Sequence, residues 1–201
     1  MLLDAPGLGK TLTTICLAEE LKLQHGIEHC LVICGLNTLK TNWKNEISIH
    51  SHFSAKILGE RVSKRTGKVS YGSISDRLED LKKPIDEFFV ITNIETLRNN
   101  EIIKELQKGC NKFDFIIVDE VHAAKNAQSQ QGKNLLKLKA PYQVAMTGTV
   151  LMNSPTDAYV PLKWIGKEHC NQSTFNAYYC VRGGPFGNEF LGYRNLDILK
   201  D

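Results

Sequence analysis

The sequence predicts an α/β fold in which helices cover both faces of a doubly wound, mostly parallel β-sheet. Short apolar runs alternate with segments of helical periodicity along most of the 201 residues, as in chains that build parallel sheets. The runs 30–34 and 113–118 are apolar almost throughout, which is typical of strands buried on both faces. Ligands of such sheets bind beyond the carboxyl ends of the strands, so we expect the functional residues there.

The first half of the predicted fold begins with a helix directly behind a glycine-rich loop. Its apolar residues recur at helical spacing, and Gly26 is placed to end it. The strand 30–34 follows, and after it come a second helix, whose apolar face includes Trp43, and a weaker strand at 55–58. We interpret Trp43 as a core residue.

The second half continues the alternation after a polar stretch. That stretch contains Lys64, Arg65 and Lys68 and is interpreted as a solvated loop rather than a grip on nucleic acid. Trp164, like Trp43, is expected in the core. The remaining elements are expected as a strand at 87–92, a helix at 94–106, a strand at 113–118, a short helix around 135–138 and a strand at 142–146.

The composition describes an ordinary reduced, mildly basic chain. An apolar fraction of 42% and a net charge of +3 permit a polyanionic partner without requiring one. The six cysteines are scattered without a C-x-x-C pair, which indicates packed thiols of a cytoplasmic protein. Cys30 and Cys34 lie near His29, but the companion ligands of a metal site are missing. No apolar run approaches the length of a membrane span, so no membrane partner is expected.

The glycine-rich loop at residues 4–11 has the composition of a phosphate-binding loop. Its glycines let the backbone turn N–H groups toward a phosphate, Lys10 can reach the β- and γ-phosphates, and the Thr11 hydroxyl can bind Mg²⁺. Asp4 stands where the generic pattern has glycine, which leaves a simple glycine turn with a solvent-facing lysine as the alternative. The predicted nucleotide-binding residues are Asp4, Ala5, Pro6, Gly7, Leu8, Gly9, Lys10 and Thr11.

Two carboxylates, Asp119 and Glu120, come directly after the strand 113–118. They should therefore lie at the same sheet edge as the loop, where Asp119 would hold Mg²⁺ and Glu120 would orient an attacking water molecule. The alternative, an acidic cap on the next element, loses weight because the loop is expected beside them. With Lys10, these two residues form the predicted catalytic group of a nucleoside triphosphate hydrolase.

A polar turn ends the next strand at the same edge. The hydroxyls of Thr147 and Thr149 flank Gly148 and could bond to the acidic residues across the cleft. Such a relay would sense whether a γ-phosphate is bound.

With these three motifs in order, the chain resembles the first RecA-like lobe of the superfamily-two helicases, and among them the Swi/Snf-type DNA translocases of the bacterial and phage branch. Members of that family carry Asp at the position of Asp4, a D-E-x-H motif and a Thr-Gly-Thr motif, and they share the Asn-Trp pair at 42–43. Segments 90–97, 175–179 and 192–196 are further matches. Gly35 is a departure, because the family usually has proline there.

The resemblance implies a nucleotide site and a nucleic-acid site. ATP and Mg²⁺ are the implied ligands, and His122 would link the ATP site to the Thr-Gly-Thr turn unless it is merely packed. Asn37, Thr38 and Thr92 are where the family would place contacts to DNA phosphates, although strand-end caps are an equal alternative.

The resemblance also implies a division of the chain and a missing partner. Residues 1–165 would form the first lobe and 166–201 a connection toward a second RecA-like lobe. Since the loop opens the chain and no second lobe follows, we expect a truncated lobe that hydrolyses ATP very slowly alone. The implied activity is ATP-driven movement along duplex DNA in a bacterial or phage-encoded cytoplasmic protein. The alternatives are a strand-separating DNA or RNA helicase and a non-enzymatic nucleotide-binding scaffold.

Overall fold

Five parallel strands form the central sheet of the computed structural model, which describes residues 1–5, 7–63, 65–148, 154–184 and 189–199. Their order is β2-β5-β1-β6-β7, and every pair is parallel. The strands are β1 (His29–Cys34), β2 (Ala55–Ile57), β5 (Phe89–Asn93), β6 (Phe113–Val118) and β7 (Tyr142–Ala145). The predicted fold class is confirmed, and the long apolar runs are indeed the central strands.

The segment before the phosphate loop lies beside β7. Leu2 forms a parallel bridge with Met146, in which the Leu2 amide donates to the Ala145 carbonyl at 2.9 Å and the Thr147 amide donates to the Leu2 carbonyl at 3.1 Å. This pairing brings the loop to the sheet edge where β6 and β7 end.

Helices cover both faces of the sheet, as predicted. α1 (Lys10–His25) and α2 (Leu39–His50) pack over one apolar cluster, while α4, α5 and α6 pack over the other. The remaining helices are α3 (Ile74–Leu81), α4 (Asn100–Lys108), α5 (Gln130–Lys137), α6 (Tyr159–Trp164) and α7 (Gln172–Tyr179), with 3-10 turns at Ile94–Arg98, Val121–Ala124, Pro155–Ala158 and Leu196–Leu199. Gly26 ends α1 in the left-handed conformation, as expected.

α3 and α7 were not predicted, and two other segments differ from the prediction. The helix expected at 94–106 is divided, because the Asn99 side chain accepts hydrogen bonds from the amides of Glu101 and Ile102 and thereby starts α4. The stretch expected as a loop contains an antiparallel hairpin of β3 (Glu60–Val62) and β4 (Val69–Tyr71). Lys64 lies outside the described residues, and its neighbours Arg65 and Lys68 are exposed. A second hairpin, β8 (Cys180–Gly183) with β9 (Glu189–Tyr193), follows α7.

Lys40 is the least expected core residue, because its side chain is buried on α2. Its Nζ lies 4.8 Å from the centre of the Tyr71 ring and has no hydrogen-bond partner among the described residues. Burial lowers the pKa of Lys40 to about 8, and the charge of Arg77 acts in the same direction, while Cys34, Glu60 and Glu95 act weakly against it. The protonated lysine therefore costs stability at neutral pH.

We expect Lys40→Met to raise the free energy of unfolding at pH 7 by about 1–2 kcal/mol, because it replaces a buried cation by an apolar side chain of similar length. The folded-state pKa lies below that of an unfolded lysine, so unfolding takes up a proton between these values. The wild-type chain therefore gains stability as the pH rises from 8 toward 10.5, and the variant does not.

Urea denaturation at pH 7 and pH 10 checks this expectation, and the advantage of the variant should shrink at the higher pH. Lys44→Met is the control, since Lys44 lies one turn further along α2 and is partly exposed. An equal advantage of Lys40→Met at both pH values would contradict the assignment.

Candidate nucleotide-binding site

The glycine-rich loop adopts the backbone geometry that a phosphate cradle needs. Gly7 and Gly9 have φ angles of 84° and 79°, in the left-handed region that other residues adopt only with strain. α1 begins at Lys10, and Gly9 offers no side chain to cap it. The amino-terminal N–H groups of this 16-residue helix therefore lie beside the loop, and such groups bind anions well. Pro6 lies outside the described residues.

The side chain of Lys10 folds back over this loop. Its Nζ donates to the carbonyl of Asp4 and, at 3.0 Å, to the carbonyl of Ala5. The ammonium thus lies over the turn, where both of its hydrogen bonds are exposed. A phosphate bound in the loop would offer it stronger, charged acceptors.

Asp119 lies across a cleft of about 480 Å³ from the loop. The cleft is lined by Gly7, Gly9, Lys10, Thr11, Leu12, Leu39, Asn42, Trp43, Glu46, His50 and Asp119. The loop and the first carboxylate therefore meet at one sheet edge, as the strand order requires.

Two donors hold the Asp119 carboxylate. Oδ1 accepts the Glu120 backbone N–H at 3.0 Å, and Oδ2 accepts the indole N–H of Trp43 at 3.0 Å. Burial raises the pKa of Asp119, the indole hydrogen bond lowers it, and the charge of Glu120 raises it again. Since both donors stabilise the ionised form, they counteract the effect of burial.

Glu120 joins the acidic motif to the polar turn after β7. Its Oε2 accepts the Thr147 hydroxyl at 3.1 Å and lies 3.0 Å from Nδ1 of His122. Nδ1 of His122 also lies 3.0 Å from the Thr147 hydroxyl, a geometry that fits an Nδ1–H donor. Glu120, His122 and Thr147 thus form a closed triangle of polar contacts. Gly148 follows Thr147 at the sheet edge, and Thr149 lies outside the described residues.

The backbone of Glu120 is held in a conformation that is unusual for a residue with a side chain. Its φ and ψ are 48° and 50°, a left-handed geometry that stores strain outside glycine. Gly35, at the end of β1, lies directly against it: a Cβ atom on Gly35 would approach Glu120 Cβ to 2.9 Å. The glycine therefore permits the close approach of the β1 loop to the acidic motif. The sequence identified Gly35 only as a departure from the usual proline and did not predict this role.

The predicted DNA-facing residues divide into two groups. Asn37 and Thr38 are exposed at the end of β1. Thr92 is buried, and its hydroxyl donates to Thr96 Oγ1 at 2.9 Å. The hydroxyl of Thr92 therefore has a partner inside the protein and is not accessible to a DNA phosphate in this structure. The expectation of a direct phosphate contact from Thr92 is not supported.

The donors at the cleft fit a magnesium ion. Thr11 would offer a hydroxyl and Asp119 a carboxylate, and Mg²⁺ usually takes its other ligands from water and phosphates. Within the described parts of the chain, no group of three or more His, Cys, Asp or Glu side chains could hold a metal ion without such help. Cys30 and Cys34 belong to no such group among the described residues.

Residue spacing did not reveal the contact between Trp43 and Asp119. Trp43 was predicted only as a core residue, and it is buried as predicted. The one available signal was chemical, because a buried indole N–H needs an acceptor.

In the regions that the structure describes, no helix is long and apolar enough to cross a membrane.

A parallel α/β sheet with such a loop at its carboxyl edge places the chain in the P-loop class of nucleotide-binding proteins. Over residues 1–181 it matches the family described as the SNF2-related domain. The chain belongs to this family, and its fold is that of the RecA-like lobe that carries the phosphate loop.

Comparison with individual proteins agrees with this assignment. The chain is 26% identical over 163 residues to Helicase swr1 of Aspergillus fumigatus, which covers 79% of this chain and 9% of the relative. It is 28% identical over 188 residues to the ISWI chromatin-remodeling complex ATPase CHR11 of Arabidopsis thaliana, which covers 91% of this chain and 16% of the relative. The solved SWI2/SNF2 ATPase core of Sulfolobus solfataricus in complex with dsDNA shares the fold, with a TM-score of 0.67 at 24% identity over 89% of this chain and 34% of that chain. The chain thus spans a small part of each relative.

We expect Gly35→Ala to lower the free energy of unfolding by about 1–3 kcal/mol, because its new methyl group would overlap Glu120 Cβ. The loss should be much smaller in a Glu120→Gly background, which removes the clashing atom and suits the left-handed backbone. Urea denaturation of the two single variants, the double variant and the wild type completes a double-mutant cycle. Equal losses in both backgrounds would show that the close approach does not act through Glu120.

Proposed function

We propose that this chain is the ATP-binding lobe of an ATP-dependent double-stranded DNA translocase, which hydrolyses ATP to ADP and phosphate when a second RecA-like lobe joins it. The observation that carries the proposal is the meeting of the phosphate loop, Asp119 and Glu120 at one sheet edge. Membership in the SNF2-related family supports the same reading.

In this proposal the loop, Lys10, Thr11 and Asp119 each have a chemical role at the cleft. The loop from Asp4 to Thr11 binds the phosphates through the N–H groups of its non-proline residues, and Lys10 exchanges the carbonyls of Asp4 and Ala5 for phosphate oxygens. Thr11 and Asp119 would hold a magnesium ion, which would neutralise charge on the phosphates.

Glu120 positions the attacking water molecule. Both of its polar contacts fall on Oε2, so Oε1 faces no donor from the described residues and can accept a hydrogen bond from water. Oε2 thus fixes the position of the carboxylate, and Oε1 orients the water molecule.

His122 and Thr147 couple this carboxylate to the turn after β7. Because the triangle joins two strand ends, a shift of Thr147, Gly148 or Thr149 would move the Glu120 carboxylate. The proposal assigns these residues the task of linking nucleotide state to the position of the polar turn.

DNA is bound through its phosphates at the exposed end of β1. Asn37 and Thr38 are polar and accessible there, and the SWI2/SNF2 ATPase core of Sulfolobus solfataricus was solved in complex with dsDNA. Such contacts carry no sequence information and weaken with added salt.

The second lobe completes the proposal. Residues 1–165 are assigned to the first lobe and 166–201 to the connection, although Phe175 packs against Tyr159 with ring centres 5.3 Å apart. An arginine supplied from another lobe accelerates phosphoryl transfer by about 10³–10⁵-fold, so the chain alone should hydrolyse ATP very slowly.

The expected origin and location stay predictions. The curated relatives named above come from a fungus and a plant and give no support to a bacterial or phage branch. The cytoplasmic location rests on cysteine usage alone.

Lys10→Ala should weaken Mg·ATP binding about tenfold or more, because it removes a charged hydrogen-bond donor from the phosphates. Isothermal titration of the 201-residue chain measures this directly. Lys22→Ala is the matched control, since Lys22 lies on the same helix but contacts the carbonyl of Ile27. Equal affinity of the wild type and Lys10→Ala would reject a functional loop and favour the scaffold.

Duplex DNA should stimulate ATP hydrolysis by a protein that joins this chain to a second lobe, and the stimulation should fall with rising salt. Steady-state hydrolysis is measured with duplex DNA, single-stranded DNA and RNA of equal length. Stimulation by single strands without stimulation by duplex would favour the strand-separating helicase instead.

A further inference from the structure

Trp43 lies on the face of α2 that packs against the sheet. The side chain is 2% exposed, yet its ring also borders the cleft that Lys10, Thr11 and Asp119 line. The residue therefore belongs both to the core and to the wall of the nucleotide site. This position lets a packing residue act on a site residue.

The indole N–H of Trp43 is aimed at the Asp119 carboxylate. Nε1 donates to Oδ2 at 3.0 Å, while the Glu120 amide donates to Oδ1 at 3.0 Å. One donor on each oxygen fixes the rotation of the carboxylate about its own axis. Each oxygen accepts two hydrogen bonds or metal bonds, so each keeps a free lone pair for a metal ion or its bound water.

The second tryptophan of the chain provides an internal comparison. Trp164 is also fully buried, and its Nε1 donates at 2.8 Å to the backbone carbonyl of Leu138. That bond stabilises the junction of α5 and α6 and does not involve a site residue. Each indole N–H thus donates one buried hydrogen bond. The acceptor of Trp164 is a backbone carbonyl between helices, and the acceptor of Trp43 is a carboxylate at the candidate metal site.

We propose that Trp43 is a positioning residue for magnesium: its indole N–H holds the Asp119 carboxylate in the orientation that binds the ion between Asp119 and Thr11. The inference rests on the proposed nucleotide site and adds a residue that acts on the ion through Asp119. Hydrogen-bond donors to metal ligands typically change metal affinity by about 10–100-fold when they are removed.

Replacement by phenylalanine tests the proposal, because it retains an aromatic ring and removes the N–H. Trp43→Phe should bind ATP in EDTA as the wild type does but should need about tenfold more Mg²⁺ for half-maximal enhancement of ATP binding. Trp164→Phe, which loses an equivalent buried hydrogen bond, should keep the wild-type Mg²⁺ requirement. A folded Trp43→Phe with an unchanged Mg²⁺ requirement would overturn the proposal.

Tryptophan fluorescence gives a second readout, which leaves the hydrogen bond between Trp43 and Asp119 intact. The chain has two tryptophans, so Trp43 is the sole tryptophan of Trp164→Phe. Its emission should change when Mg²⁺ is added to the ATP-bound protein, and Asp119→Asn in the same background should weaken that change. If Trp43→Phe fails to fold, this measurement decides, and an emission that ignores Mg²⁺ overturns the proposal.

Failure of the inference is distinguishable from failure of the proposed function. A wild-type chain that binds no ATP, with or without Mg²⁺, overturns both. A wild-type chain that binds ATP through Lys10, together with a Trp43→Phe variant that behaves as Trp164→Phe does, overturns only the role of Trp43.

Discussion

The hydrogen-bond ladder between the ends of β1, β6 and β7 is the constraint on which the candidate site depends. The Asp119 amide donates to the Ile33 carbonyl at 2.8 Å, the Met146 amide to the Val118 carbonyl at 2.8 Å and the Thr147 amide to the Leu2 carbonyl at 3.1 Å. These bonds connect four neighbouring segments at one edge of the sheet. Because the segments are parallel, each delivers its polar residues to the same side. The loop, the acidic pair and the polar turn, distant in sequence, meet for this reason.

The same sheet explains which parts of the fold the sequence could predict. β1 and β6 are buried on both faces, so their apolar runs identify them without tertiary information. The β3–β4 hairpin could not be found in this way, since each of its strands has only 3 residues. Its charged contacts lie outside the hairpin: Arg61 pairs at 3.0 Å with Asp80 of α3, which also accepts the Gly59 amide at 2.7 Å. Such contacts leave no periodic pattern in the strands themselves.

Local capping chemistry accounts for two further differences between the expected and observed elements. Ser73 and Asp76 form a capping box that starts α3, and this spacing is readable from sequence. Asn99 starts α4 by the same physics inside a segment that its apolar periodicity made look continuous. In both cases a short polar side chain overrides the hydrophobic pattern, because it satisfies helix N–H groups that would otherwise be unpaired. Thr92 is a different case, since the family resemblance implied a phosphate contact, whereas its side chain is buried and donates to Thr96.

Candidate site residues can be proposed from the sequence where a motif restricts the chemistry, whereas contacts between distant segments cannot. Lys10, Thr11, Asp119 and Glu120 are recognisable because phosphate and metal binding restrict the residue type at each position. Gly35 is different, since it matters because it has no Cβ atom. Only the folded structure shows that Glu120 occupies the space that a Cβ atom of residue 35 would need.

The left-handed backbone of Glu120 beside Gly35 determines where its side chain lies. The strained backbone turns the carboxylate toward His122 and Thr147, and the surrounding contacts over-determine that position. The contacts of the carboxylate with His122 and Thr147 both fall on Oε2, so they hold Glu120 on the side of the polar turn after β7. The left-handed backbone, the adjacent glycine and these contacts thus form one local arrangement.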